Sequence, residues 1–150
     1  MKASAVLLAL CASLSLCAME VTNPTKNSGN PREAVANSAD GKTSTKWCVN
    51  IGKSAVWQMK LDAPKTFTSC KLTSANDMPN RDPKNWTVEA SKDGKTWVKL
   101  ADVKNNPKFA KRFETKEFKF NNKTPYTWYR IVFSATNGDG MIQLSEIAFQ

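Results

Sequence analysis

The segment Trp86-Thr-Val-Glu-Ala-Ser-Lys-Asp-Gly-Lys-Thr-Trp97 constrains the fold more than any other stretch of the chain. Trp86, Val88 and Ala90 alternate with Thr87, Glu89 and Ser91, the period of a strand with one buried face. Asp93-Gly94 supplies the residues that a tight hairpin turn needs, and a second strand begins at Trp97. Further strand-like runs occur at Val56–Leu61, Phe67–Ser74, Phe113–Phe120, Tyr126–Ala135 and Ile142–Phe149, about seven strands in all. Only Arg32–Ala39 could hold a helical turn. The pattern predicts an all-β domain, an antiparallel β-sandwich of the jelly-roll type.

The 150 residues give room for one such domain. Lys2, the apolar run Ala5–Ala12 and a small-residue stretch ending near Cys17-Ala18 read as a secretory signal peptide over residues 1–18, cleaved after Ala18 or Cys17. Residues 19–31, rich in Asn, Thr, Ser, Gly and Pro, read as an irregular N-terminal segment, leaving 32–150 as the domain. The expected location is therefore secreted, periplasmic or at the cell surface. Asn85-Trp-Thr and Asn122-Lys-Thr match the acceptor pattern for N-glycosylation, a short pattern that also arises by chance.

Outside the leader only Cys48 and Cys70 remain. In an exported protein such a pair suggests one disulfide, stabilising by about 3 kcal/mol through the unfolded chain. The other reading is two small buried hydrophobes. The formal charge of +9 comes mainly from scattered lysines, without the arginine clusters that favour phosphate contacts. It directs expectation away from nucleic acid and toward a glycan, acidic ones included, or an anionic cell surface.

No histidine occurs in the chain, which removes the commonest general base, the usual triads and His-based zinc sites. Asp77 and Asp82 form the one carboxylate pair in a displayed loop that a glycosidase could use. Loop aspartates more often brace turns, so the chain is expected not to be an enzyme. A second polar loop, Asn37 to Trp47, turns sharply at Asp40-Gly41 and returns through Thr45. It suits either an Asx turn or an all-oxygen cradle for a hard cation such as calcium.

Several short motifs in order, Ala36–Cys48, Trp57–Leu61, Lys71–Asp77, Arg81–Trp86, Ser91–Trp97, Tyr129–Ile131 and Ile142–Ile147, resemble the coagulation factor 5/8 type C, or discoidin, family. The resemblance is closest to carbohydrate-binding modules of family 32 and runs from about Arg32 to Phe149. It implies an eight-stranded galactose-binding-like sandwich with a structural calcium ion. Carried over, the ion's ligands are Asp40, Thr45 and Glu146, with main-chain oxygens near Ala36 and Lys42. It also implies glycan binding through loops at one end, and adhesion to anionic lipid or a protein partner is the alternative. Trp47, Trp57, Trp86 and Trp97 occupy scaffold positions of the family. The expected ligand-binding residues are Asn76, Asp77 and Arg81 from one loop, Phe109 as the surface aromatic, and Asn137 and Asp139 before the last strand. Sugar-binding members often place a His in the site, and Cys70 stands where relatives carry a larger side chain; this chain departs from both habits.

Overall fold

The computed structural model describes residues 19–150. The proposed leader, residues 1–18, lies outside the described residues. The described residues form ten strands: β1 Met19–Thr22, β2 Trp47–Asn50, β3 Ala55–Lys65, β4 Ser69–Thr73, β5 Pro83–Ser91, β6 Val98–Val103, β7 Thr115–Lys119, β8 Tyr126–Thr136, β9 Met141–Leu144 and β10 Glu146–Phe149. All pair antiparallel, in a five-stranded sheet β1-β3-β8-β5-β6, a three-stranded sheet β10-β4-β7 and a two-stranded pair β2-β9. Short 3-10 turns at Pro31–Glu33 and Val35–Ala39 fill the segment that could hold a helical turn. Among the described residues no helix is long and apolar enough to cross a membrane.

The sandwich closes because alternate residues of the long strands face one another. Trp86, Val88 and Ala90 of β5, and Tyr129, Ile131 and Phe133 of β8, are fully buried. Their neighbours across the core come from the smaller sheet: Trp86 meets Phe118 edge-on at 4.9 Å, and Trp57 stacks on Phe149 at 5.9 Å. Trp47, Trp57 and Trp86 have no exposed surface, so they serve the core, as scaffold positions should. Trp97 is half-buried beneath the Arg130 guanidinium, 4.0 Å from its ring. The Tyr129 hydroxyl donates to Lys65 O at 2.7 Å, which satisfies a polar group that burial would otherwise penalise.

Three expectations need correction, and one glycosylation match proves unsuitable. Residues 19–31 are not wholly irregular, since β1 adds to β3 from Met19↔Leu61 to Thr22↔Gln58, and Gly29 bridges Val49. The run Ile142–Phe149 is two strands, because buried Ser145 donates from its hydroxyl to Ser74 O and from its N–H to Thr73 O, carrying the chain from β9 to a different sheet. Cys48 and Cys70 are free, each buried in a separate sheet, on β2 and β4. Burial pushes the Cys70 thiol up to about 12, as expected of an inert core residue. Finally, Asn122 is buried with its amide donating to Phe67 O at 3.1 Å and to the Tyr129 hydroxyl at 3.3 Å, a poor glycan acceptor.

The hairpin at Asp93-Gly94 forms as expected. Asp93 Oδ1 accepts from Lys95 N and Thr96 N, both at 2.8 Å, and these N–H groups, Thr96 first, hold the carboxyl down at about 2. Gly94 has φ 73°, and a Cβ there would sit 2.9 Å from the Trp128 ring. Gly94→Ala is expected to destabilise by about 1–3 kcal/mol through the left-handed backbone and the clash together, read as a lower denaturant midpoint. An unchanged midpoint would mean that the indole yields freely.

Candidate functional site

Two features share one end of the sandwich. The first is the turn after the Val35–Ala39 segment, where Gly41 at φ 76° reverses the chain. Lys42 N donates to Asp40 Oδ1 at 2.8 Å and to Glu146 Oε1 at 2.9 Å, across 104 residues of sequence. The Thr45 hydroxyl lies 2.7 Å from Asp40 Oδ2, 3.1 Å from Lys42 O and 3.4 Å from Asn37 O. Asp40, Lys42, Thr45 and Glu146 are thus brought together. Ala36 sits exposed in the preceding turn, and the carbonyl that approaches Thr45 is that of its neighbour Asn37.

The charges there are unbalanced. Burial and the adjacent Asp40 carboxylate push the Glu146 carboxyl above the usual range, while the Thr45 hydroxyl foremost holds Asp40 below it. Two converging carboxylates, a hydroxyl and two carbonyls form an all-oxygen donor set, the chemistry that suits a hard dication and not zinc. Among the described residues no group of three or more His, Cys, Asp or Glu side chains could hold a metal, so the rest of a coordination shell would be carbonyls and water. The residues fit calcium on donor type and charge.

The second feature is an open groove of about 450 Å³ beside this turn. Its wall includes Arg32, Lys46, Asn76, Asp77 and Phe113, and Asn37 and Thr45 belong to it as well as to the oxygen cluster. Asn37 braces both sides, its amide donating to Arg32 O at 2.8 Å and Lys46 O at 3.1 Å. The Lys46 ammonium donates to Asp77 Oδ1 at 2.8 Å and to the buried Gln143 at 3.2 Å, with Glu33 at 3.7 Å. Burial raises the Asp77 carboxyl, but Lys46, Gln143 and the Arg81 charge outweigh it and hold it below the usual range. Asp77 is therefore a hydrogen-bond acceptor across the neutral range.

Phe113 is the aromatic of this groove, 48% exposed and held at φ 61°. Met78 on the neighbouring loop is 45% exposed at φ 44°. Bulky residues rarely adopt the left-handed region, and such strain concentrates at functional loops. Arg112 ties the two loops, donating to Asp77 O at 3.3 Å and pairing through both Nη atoms with Asp82, which has no exposed surface.

Of the six ligand residues expected from the sequence, Asn76 and Asp77 line the groove. Phe109 does not: it is 4% exposed, because Asp82 Oδ2 accepts from its N–H at 3.0 Å and draws the loop inward. Arg81 and Asp139 pair with each other at 3.3 Å, away from the groove wall, and Asp139 also accepts from Met141 N. The Asn137 amide donates to Asp82 O, Pro83 O and Asn106 O, which makes it a loop brace. Arg32, Lys46 and Phe113 were missed. For Phe113 a signal existed: it has the parity of exposed Thr115, Glu117 and Lys119, opposite to inward-facing Phe118 and Phe120.

The model of the F5/8 type C domain family matches residues 20–147. A curated relative, the peptide-N(4)-(N-acetyl-beta-glucosaminyl)asparagine amidase of Arabidopsis thaliana, is 36% identical over 84 residues, which is 53% of this chain and 12% of that protein. The chain thus spans a small fraction of that relative. Among solved structures, a family 32 carbohydrate-binding module from Clostridium perfringens in complex with GalNAc-beta-1,3-galactose superposes with TM-score 0.69 at 17% identity, covering 87% of this chain and 94% of that one. An F5/8 type C domain from Bacteroides fragilis gives TM-score 0.73 at 19% identity, over 88% and 90%. The family 32 module of AlyQ in complex with 4,5-unsaturated mannuronic acid gives 0.70 at 17%, over 87% and 93%. At these identities the likeness establishes the fold.

Proposed function

The chain belongs to the F5/8 type C domain family, and on that premise we propose that it is an exported, non-catalytic module that binds glycans at the Phe113 groove, with calcium in the adjoining oxygen cluster. The observation that carries this reading is the half-exposed Phe113 ring in one groove with Asn76, Asp77 and Arg32. An aromatic face packs on the apolar side of a pyranose, while amide, carboxylate and guanidinium groups bond its hydroxyls and substituents. Solved neighbours of the same fold hold sugars, GalNAc-beta-1,3-galactose in one and 4,5-unsaturated mannuronic acid in another. The carboxylate pair that could have served a glycosidase supports a binding role, because Asp82 is buried against Arg112 and Asp77 is engaged by Lys46. The amidase activity of the Arabidopsis relative belongs to a protein of which this chain matches 12%.

A glycan array probed with and without calcium tests the reading. Specific saccharide signals are expected, and silence across the array would end it. Affinity for a single site should be weak, since a shallow groove buries little surface against the entropy of association. Calcium, where bound, would be held by Asp40, Thr45, Glu146 and the carbonyls of Lys42 and Asn37, and would neutralise the two carboxylates while joining the first loop to β10. Chelator is expected to lower the melting temperature of wild type but not of Asp40→Asn. Equal melting with chelator and with calcium would show that the cluster is only a turn.

One observation favours adhesion to an anionic lipid surface as a second reading: Met78 and Phe113 are exposed on adjacent loops. Sedimentation with phosphatidylserine vesicles separates the two. Capture by vesicles that Met78→Ser abolishes, without any array signal, would favour the membrane.

A further inference from the structure

We propose that the groove selects an acidic sugar, a uronic acid residue, and that Arg32 is the residue that reads its carboxylate. This rests on the glycan-binding reading and adds the class of ligand. Of the cations near the groove, Arg81 is paired with Asp139 at 3.3 Å, and Lys46 and Arg112 are also engaged. The Lys46 ammonium has three donors and faces Asp77 Oδ1 at 2.8 Å, Gln143 Oε1 at 3.2 Å and Glu33 at 3.7 Å. Its side chain is only 13% exposed. The Arg112 guanidinium is held by both oxygens of Asp82 and by Asp77 O.

Arg32 differs. Its backbone is fixed at both ends, the N–H donating to Asn30 Oδ1 at 3.0 Å and the carbonyl accepting from Asn37 at 2.8 Å. Its exposed guanidinium makes no hydrogen bond or ion pair among the described residues. An anchored stem with an unengaged planar fork matches a carboxylate in two parallel bonds, which a neutral hydroxymethyl group cannot offer. The groove's own carboxylates, Glu33 and Asp77, are both within reach of Lys46, whose one charge offsets part of their repulsion of an anion. Lys46 binds Asp77 at Oδ1, which leaves Oδ2 for a ring hydroxyl. At longer range, the formal positive charge, +9 for the whole chain and +8 once Lys2 leaves with the leader, attracts a polyanion.

The test compares trigalacturonic acid with its methyl ester, which keeps every ring and hydroxyl while capping each carboxylate as a neutral ester. Binding is measured by calorimetry at fixed calcium for wild type, Arg32→Gln, Arg32→Lys and Phe113→Ala. Wild type is expected to bind the acid about fivefold more tightly than the ester, with the preference shrinking at high salt. Arg32→Gln should lose the preference, Arg32→Lys should keep part of it, and Phe113→Ala should weaken both ligands alike. Equal binding of acid and ester by wild type, or a preference that survives in Arg32→Gln, overturns the assignment to Arg32 while leaving glycan binding intact. No binding of either trisaccharide, together with silence on the array, overturns both.

Discussion

Arg112→Ala is expected to destabilise the domain by about 3–5 kcal/mol, because it strands a buried carboxylate. Asp82 has no exposed surface, and Arg112 contacts its two oxygens at 2.9 and 2.6 Å. Asp82 Oδ2 also holds the Phe109 N–H, and Asp82 O accepts from the N–H and the side chain of Asn137. Three loops therefore meet at one residue, two of them at its backbone or carboxylate oxygens only. Arg112→Lys should recover only part of the loss, since an ammonium cannot form the two parallel bonds. Asp82→Asn in the Arg112→Ala background should restore much of it by removing the uncompensated charge. Chemical denaturation of wild type, these variants and Asp82→Asn alone checks this; additive losses in the double variant would show that the pair is not coupled.

Phe113→Ala is expected to weaken glycan binding by about tenfold with little change in stability. The ring is 48% exposed, so its removal leaves no cavity in the core. Phe113→Gly sharpens the prediction. It removes the same ring and relieves a left-handed backbone at φ 61°, so the melting temperature should stay level or rise while binding falls as in the alanine variant. That combination marks strain kept for recognition. If Phe113→Gly instead unfolds the loop and lowers the melting temperature, the ring is a structural anchor.

The strands with one buried face were legible because period-2 alternation survives in Trp86–Ala90 and Tyr129–Phe133, where nothing local competes with it. The short strand Trp47–Asn50 was not, because it is buried on both sides and its pattern does not alternate. Nor was the break at Ser145, which depends on carbonyls more than 70 residues away. The meeting of Asp40 with Glu146 came only through the family resemblance, as neither residue predicts the other at a separation of that size. The two phenylalanines near the groove exchanged roles for a similar reason. Phe109 lies in a polar loop that looks exposed, yet Asp82 pulls it inward from 27 residues away. Phe113 borders a strand that looks buried, yet its parity and backbone set it outside.

Asn37 and Thr45 are walls of the groove and also neighbours of the two converging carboxylates. Saccharide and dication would therefore belong to one thermodynamic cycle, in which whatever factor the ion adds to sugar affinity the sugar must return to ion affinity. Outside a cell, where free calcium is abundant, such a module would sit permanently in its tighter state; where calcium is scarce, a dense layer of glycan could itself recruit the metal.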